Sequence, residues 1–251
     1  MKEVHLFYDP DAAMQGVCEL PSDEAGHAVR VLRLREGNSL WITNGKGTFF
    51  EGKILSTTAK HCIYEVVRSW EDRKLWNGSI HLAVAPTKNM ERMEWLVEKA
   101  TEIGFDSLTL LRCECSERKT IREDRLTKIV AAAMKQSHKA FKPAIHPIVS
   151  LKDFLAKPFP DQKFIAHCLE GTEADEREAL SHISKRNFLF DLVEREAQTL
   201  VLIGPEGDFT QEELNLAIQA GYTPVSLGES RLRTETAALV AVHLMNLKKA
   251  E

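Results

Sequence analysis

No apolar run in this 251-residue chain approaches the about 20 residues that a membrane-spanning helix needs. No secretory leader is evident either, so the expectation is a soluble protein of the cytoplasm. Cysteine is scarce and odd in number. Five residues cannot form a fully paired disulfide framework, and Cys113-x-Cys115 lacks the two-residue gap of zinc knuckles. Free thiols, buried or half-buried, are expected, with no metal site. An excess of positive charge is missing as well: 33 basic residues face 37 acidic ones, a formal net charge of −4. Any case for nucleic acid must therefore rest on where the charges lie. At 43% hydrophobic, the chain can still bury one large core or two smaller ones.

The organisation along the chain points to two domains. Residues 39–43 and 49–55 read as strands joined by the hairpin turn Asn44-Gly45-Lys46-Gly47, which gives the first part a small, all-β, barrel-like character. A polar stretch bearing Trp70 and Trp76 reads as a linker. Strands and helices alternate beyond it: a strand over 79–85, helical spacing of Met93, Leu96, Val97, Ala100 and Ile103, a strand over 107–111, a helix over about 122–137, and a strand over 163–169. Such alternation predicts a mainly parallel sheet covered by helices. The expected division is residues 1–70, a linker at 71–78, and an α/β domain over 79–251.

Residues 199–237 are the most informative. Residues 199–203 read as a fully buried strand that runs into Gly204-Pro205-Glu206-Gly207-Asp208-Phe209, after which Thr210 and Glu213 have the spacing of a capping box. A second loop, Leu227-Gly228-Glu229-Ser230-Arg231-Leu232-Arg233, opens an apolar helix. Either loop alone would pass for an ordinary βα turn. The pair follows neither the Gly-x-Gly-x-x-Gly dinucleotide pattern nor the phosphate loop ending in Gly-Lys-Ser/Thr. Glycines that let a ligand lie against the main chain suit a small molecule held largely by backbone groups.

Basic residues concentrate between 112 and 143, where nine oppose four acidic ones. Arg118, Lys119, Arg122 and Lys139 belong to this stretch, and a smaller cluster holds Arg30, Arg33 and Arg35. Each is a solvated face or a phosphate-binding patch.

The two loops resemble the ribosomal RNA small subunit methyltransferase E family, of the SPOUT class of knotted methyltransferases. The family's Ile-Gly-Pro-Glu-Gly-Gly-Phe is matched over 203–209 except at Asp208. Its Leu-Gly-x-Arg-Ile-Leu-Arg-x-Glu-Thr-Ala is matched at Leu227, Gly228, Leu232, Arg233, Glu235, Thr236 and Ala237, with Ser230 and Arg231 in place of Arg and Ile. The similarity runs through His27 to Asn38, Lys99 to Gly104, Ser116-Glu117-Arg118 and Gln136-Ser137, after which His138 and Lys139 replace the family's Gly-Arg.

The resemblance implies a PUA-like β-barrel domain before a trefoil-knotted α/β domain, S-adenosylmethionine as cofactor, and transfer of its methyl group to N3 of a uridine in 16S ribosomal RNA. It implies a homodimer as well, with free RNA or an assembled small subunit as partner. Leu169, Ile203, Gly204, Pro205, Glu206, Gly207, Leu227, Gly228, Ser230, Arg231, Leu232 and Thr236 would then form the cofactor pocket. Arg233 and Glu206 would be the catalytic residues, with the Arg233 cation stabilising the uracil anion as N3 loses its proton. Arg30, Arg33, Arg118, Lys119, Arg122 and Lys139 would hold RNA. Two other readings are a knotted methyltransferase acting at another RNA site and a non-catalytic RNA-binding assembly factor.

Overall fold

The computed structural model describes residues 5–159, 161–167 and 187–250. Leu169 lies outside them. The chain divides into two compact units: one gathers the residues up to Lys74 with Ala131–Lys142, and the other joins Leu75–Val130 to the described residues from Pro143 onward.

The first unit is a five-stranded sheet built from Leu6–Tyr8 (β1), Gly16–Glu19 (β2), Ser39–Thr43 (β3), Thr48–Thr57 (β4) and Cys62–Glu71 (β5), in the order β1-β3-β4-β5-β2. The expected turn joins β3 to β4. Asn44 Oδ1 accepts from the Lys46 and Thr48 amides at 2.8 and 3.2 Å, and Gly45 and Gly47 take φ of 72° and 102°. Alternation along the strands turns Leu40, Ile42, Phe50, Ile54 and Tyr64 into one core. There the Tyr64 hydroxyl donates to buried Asp9 at 2.7 Å. Burial, and then this bond to a carboxylate, push the phenol well above its usual range. The helix Ser22–Gly26 (α1) runs into a single π turn, His27–Val31, and Arg33 follows in the left-handed region at φ 56°.

Two features correct the expected division. Trp70, read as linker, lies within β5 and packs on Trp41 and Phe49; Trp76 is buried in the second unit, where its Nε1 donates to Asp106 at 2.9 Å. Indole rings anchor both ends of a stretch that looks polar. Residues 131–142, read as part of the α/β domain, belong with the first unit. The Gly47 amide donates to the Ala140 carbonyl at 3.0 Å, Lys46 bridges to Phe141, and Lys135 pairs with Glu24.

The second unit holds six parallel strands: Ser79–Val84 (β6), Ser107–Arg112 (β7), Ala144–Ser150 (β8), Gln162–Ala166 (β9), Gln198–Ile203 (β10) and Thr223–Val225 (β11). Their order is β11-β9-β10-β6-β7-β8. The helices are Met90–Ile103 (α2), Glu123–Gln136 (α3, whose residues from Ala131 on belong to the first unit), Leu151–Leu155 (α4), Leu189–Leu192 (α5), Gln211–Gln219 (α6) and Thr234–Lys249 (α7). β10 is buried from Thr199 to Ile203, and apolar from Leu200 on, because both its faces are covered. Val201 and Ile203 join Met93, Leu96 and Val97 of α2 and Ala238 and Val242 of α7, whereas Leu200 and Leu202 join Leu214 and Ala217 of α6. The buried residues of α2 recur at three- and four-residue steps, as one helix face requires. Among the described residues no helix is long and apolar enough to cross a membrane.

Candidate active site at the carboxyl edge of the parallel sheet

Parallel strands deliver all their following loops to one edge, the usual ligand edge of an open α/β sheet. Ile203 is in register with Val84 of β6 on one side and Ala166 of β9 on the other, and Ala166 is in register with Val225 of β11. The loops after β10 and β11 therefore leave the sheet at the same level on either side of β9, roughly 10 Å apart at two strand spacings. The two motifs, well separated in sequence, become neighbours in this way.

The first loop is a tight turn in which the Asp208 amide donates to the Pro205 carbonyl at 2.9 Å. Asp208 has φ 61°, and its Oδ1 accepts from the Phe209 amide at 2.8 Å. Aspartate thus takes a left-handed conformation at a position where the family pattern has glycine, since its short polar side chain tolerates that region. A Cβ on Gly204 would sit 3.2 Å from the Phe209 ring, and one on Gly207 would sit 3.1 Å from Cys115 Cβ. The capping box is formed: Thr210 Oγ1 accepts from the Glu213 amide at 3.2 Å and the Glu213 carboxylate accepts from the Thr210 amide at 3.0 Å.

The second loop is open. Ser226 Oγ donates to the Gly228 carbonyl and accepts from the Gly228 amide, both at 3.1 Å, and Gly228 takes φ 124° with nothing within 4 Å of where a Cβ would stand. The amides of Leu227 and Leu232 enter no hydrogen bond among the described residues. Leu227 packs on the core while Gly228, Ser230 and Arg231 are exposed. Nothing in the structure explains why Ser230 and Arg231 replace the family's Arg and Ile. A backbone-lined opening with free donors fits the adenosine part of S-adenosylmethionine, which presents acceptors and a flat, largely apolar ring.

Arg233 is the residue before α7 and is exposed, and among the described residues its guanidinium makes no hydrogen bond or ion pair. It pairs with neither Glu206 nor Glu235. Glu206 Oε1 instead accepts from the Lys88 amide at 2.9 Å, and buried Glu235 faces Arg92 at 3.6 Å. Thr236 lies in the first turn of α7.

Sequence reasoning missed residues 86–89, the loop after β6. Lys88 Nζ pairs with Glu117 at 2.8 Å, and this hydrogen bond, then the charge behind it, raises the lysine pKa. Arg118 donates from Nε to the Thr87 carbonyl at 3.2 Å and from Nη2 to the Lys88 carbonyl at 2.5 Å. The available signal was Asn89, a helix cap directly after a buried strand, which puts this loop at the same edge.

The expected RNA-binding residues separate by unit. Arg118, Lys119 and Arg122 lie in the second, together in the segment between β7 and α3, with Lys119 and Arg122 exposed. Arg30, Arg33 and Lys139 lie in the first. Arg30 folds back so that its Nε donates to the Gly26 carbonyl at 3.4 Å. Among the described cysteines all four are free: Cys62 and Cys113 are buried, Cys18 is half-buried, and Cys115, contrary to expectation, is exposed. Burial, with Glu213 nearby, pushes the Cys113 thiol well up.

Comparison with known proteins bears on this geometry. Residues 74–246 match the model of the RNA methyltransferase domain, and residues 20–67 match that of the RNA methyltransferase PUA domain. Ribosomal RNA small subunit methyltransferase E of Rickettsia conorii is 27% identical over 98% of this chain and 96% of its own length. The crystal structure of a probable rRNA-methyltransferase from Porphyromonas gingivalis is 40% identical, with 98% of each chain covered and a TM-score of 0.85. A Legionella pneumophila protein solved with the bound cofactor SAM is 27% identical over 98% of each chain, with a TM-score of 0.84.

Proposed function

The chain belongs to the ribosomal RNA small subunit methyltransferase E family, and from that premise we propose that it transfers the methyl group of S-adenosylmethionine to N3 of a uridine in 16S ribosomal RNA. The observation that carries the reading is the alignment of Ile203, Ala166 and Val225, which sets the two glycine loops side by side at the ligand edge of the sheet, with the uncommitted Arg233 leading out of the second.

Bound S-adenosylmethionine supplies an electrophilic methyl carbon on a sulfonium. The chain's own contribution is to bind and orient. Gly204, Pro205 and Gly207 form one wall and Leu227, Gly228 and Leu232 the other, with the chain exposed at Gly207 and Gly228. Attack by N3 must be in line with the breaking bond, so fixing both partners supplies much of the acceleration. As N3 loses its proton, negative charge spreads over the uracil imide. A guanidinium with no carboxylate neutralising it, as at Arg233, is available to stabilise that charge without reorganising. Glu206 acts by holding the first loop to the β6 loop through the Lys88 amide.

N3 lies on the pairing edge of uracil, so the base must be unpaired or extruded when it reacts. A separate unit that grips RNA meets that requirement, and the PUA family match of the first unit supports this role. The proposal includes the trefoil knot and the homodimer, both on the strength of family membership. Incubation with radiolabelled S-adenosylmethionine and undermodified small ribosomal subunits, followed by nucleoside analysis, tests the reading. Label recovered as 3-methyluridine is expected, and label in a ribose methyl or in another base overturns it.

A further inference from the structure

Between the start of α2 and the segment before α3 lies a cavity of about 340 Å³, lined by Met90, Arg118, Thr120, Ile121, Arg122 and Arg125. None of these residues belongs to the two glycine loops. The charges of the three arginines are differently spent. Arg125 is neutralised by Glu94, with Nε at 2.6 Å and Nη2 at 2.8 Å from the carboxylate. Arg118 is held by two carbonyls, which fix its plane without cancelling its charge. Arg122 is exposed, and among the described residues its guanidinium has no hydrogen bond or ion pair. Two positive charges therefore remain for an anion. The floor is different: Met90 and Ile121 are partly buried and continuous with the main core.

We propose that this cavity is a subsite for one nucleotide of the RNA, with its phosphate on Arg122 and Arg118 and its base against Met90 and Ile121. The volume falls in the usual range for small-ligand pockets, about 300–1,000 Å³. Guanidinium planes serve both phosphate and stacked base, whereas a simple phosphate patch needs no apolar floor. Position supports the assignment: Lys88 accepts from Arg118 through its carbonyl and donates to Glu206 through its amide. One residue thus joins the cavity to the candidate cofactor loop, and the nucleotide bound here is a near neighbour of the methylated uridine. The subsite rests on the methyltransferase reading only for the identity of the RNA.

The test uses the full chain, with uridine 5′-monophosphate, uridine and inorganic phosphate as probes in NMR titrations, alongside methyl transfer to small subunits. The monophosphate should bind more tightly than either fragment. Arg122→Gln, which removes no internal contact, should weaken its binding about tenfold, the scale of one charge-assisted hydrogen bond. The same variant should raise KM for the ribosomal substrate, with kcat and S-adenosylhomocysteine affinity nearly unchanged. Ile121→Thr should weaken the monophosphate but not inorganic phosphate. Equal affinity for monophosphate and inorganic phosphate, or no effect of Arg122→Gln, overturns the subsite. If the parent binds monophosphate as described yet transfers no methyl group, the methyltransferase reading fails and the nucleotide site stands.

Discussion

The Lys88 amide donates to Glu206 Oε1 at 2.9 Å across 118 positions of sequence. This bond joins the loops after β6 and β10, neighbouring strands whose ends are level at Val84 and Ile203. If it is a clamp, Glu206→Ala should lower S-adenosylhomocysteine affinity about tenfold, since a lost charge-assisted bond lets the loop move. Glu206→Gln keeps an acceptor and should recover most of that loss. Calorimetric titration separates the cases: equal loss in both variants would mean that the charge, not the bond, is what binding requires.

Gly207 lies against Cys115, where an added Cβ would approach the cysteine Cβ to 3.1 Å. Gly207→Val should push the loop off the β7 loop and abolish cofactor binding in calorimetry while the protein stays folded by circular dichroism. Gly207→Ala should bind measurably more weakly than the parent, and adding Cys115→Gly, which removes the opposing atom, should restore part of the affinity. Undiminished binding in folded Gly207→Val would remove this loop from the pocket.

Because the Arg233 guanidinium has no partner among the described residues, Arg233→Ala should change the unfolding free energy by less than about 0.5 kcal/mol, as for ordinary surface sites. Turnover should fall by roughly a hundredfold to a thousandfold, the scale for losing a group aimed at developing charge. Cofactor affinity should move little, because the interaction grows toward the transition state. Single-turnover rates and denaturant unfolding measure the two sides, and unchanged turnover would exclude a catalytic role.

Tyr222 is buried beneath α6, and desolvation pushes its phenol up to about 12 from an ordinary 10. The raised value means that the folded state holds the proton more tightly than the unfolded chain does. Its stabilisation is complete below pH 10 and is lost as pH rises through about 12, on the order of 2 kcal/mol in all. Tyr222→Phe cannot ionise, so its melting temperature should fall less steeply than the parent's between pH 10 and 12. Parallel curves would show that the phenol does not limit alkaline stability.

Much of the site was legible because it rests on local chemistry. A buried strand, a glycine turn and a Thr210–Glu213 cap are recognisable within a few residues, and each formed as read. Replacements at two family glycines were harder to judge. Asp208 and His138 both take a left-handed backbone, at φ 61° and 51°, which letters alone do not disclose.

Local pattern determined that there is an open parallel sheet, a small β unit before it, and two backbone-lined loops with an arginine after the second. The tertiary structure decided what lies beside what. Strand order put β9 between the two loops, and it brought Lys88 to Glu206, which no periodicity encodes. It likewise drew residues 131–142 into the first unit, through the Ala140 carbonyl and Phe141, and left Arg233 without the carboxylate its neighbours in sequence offered. The physical reason is the same in each case: hydrogen bonds and charges act over a few ångströms of space, and only the folded sheet sets those distances.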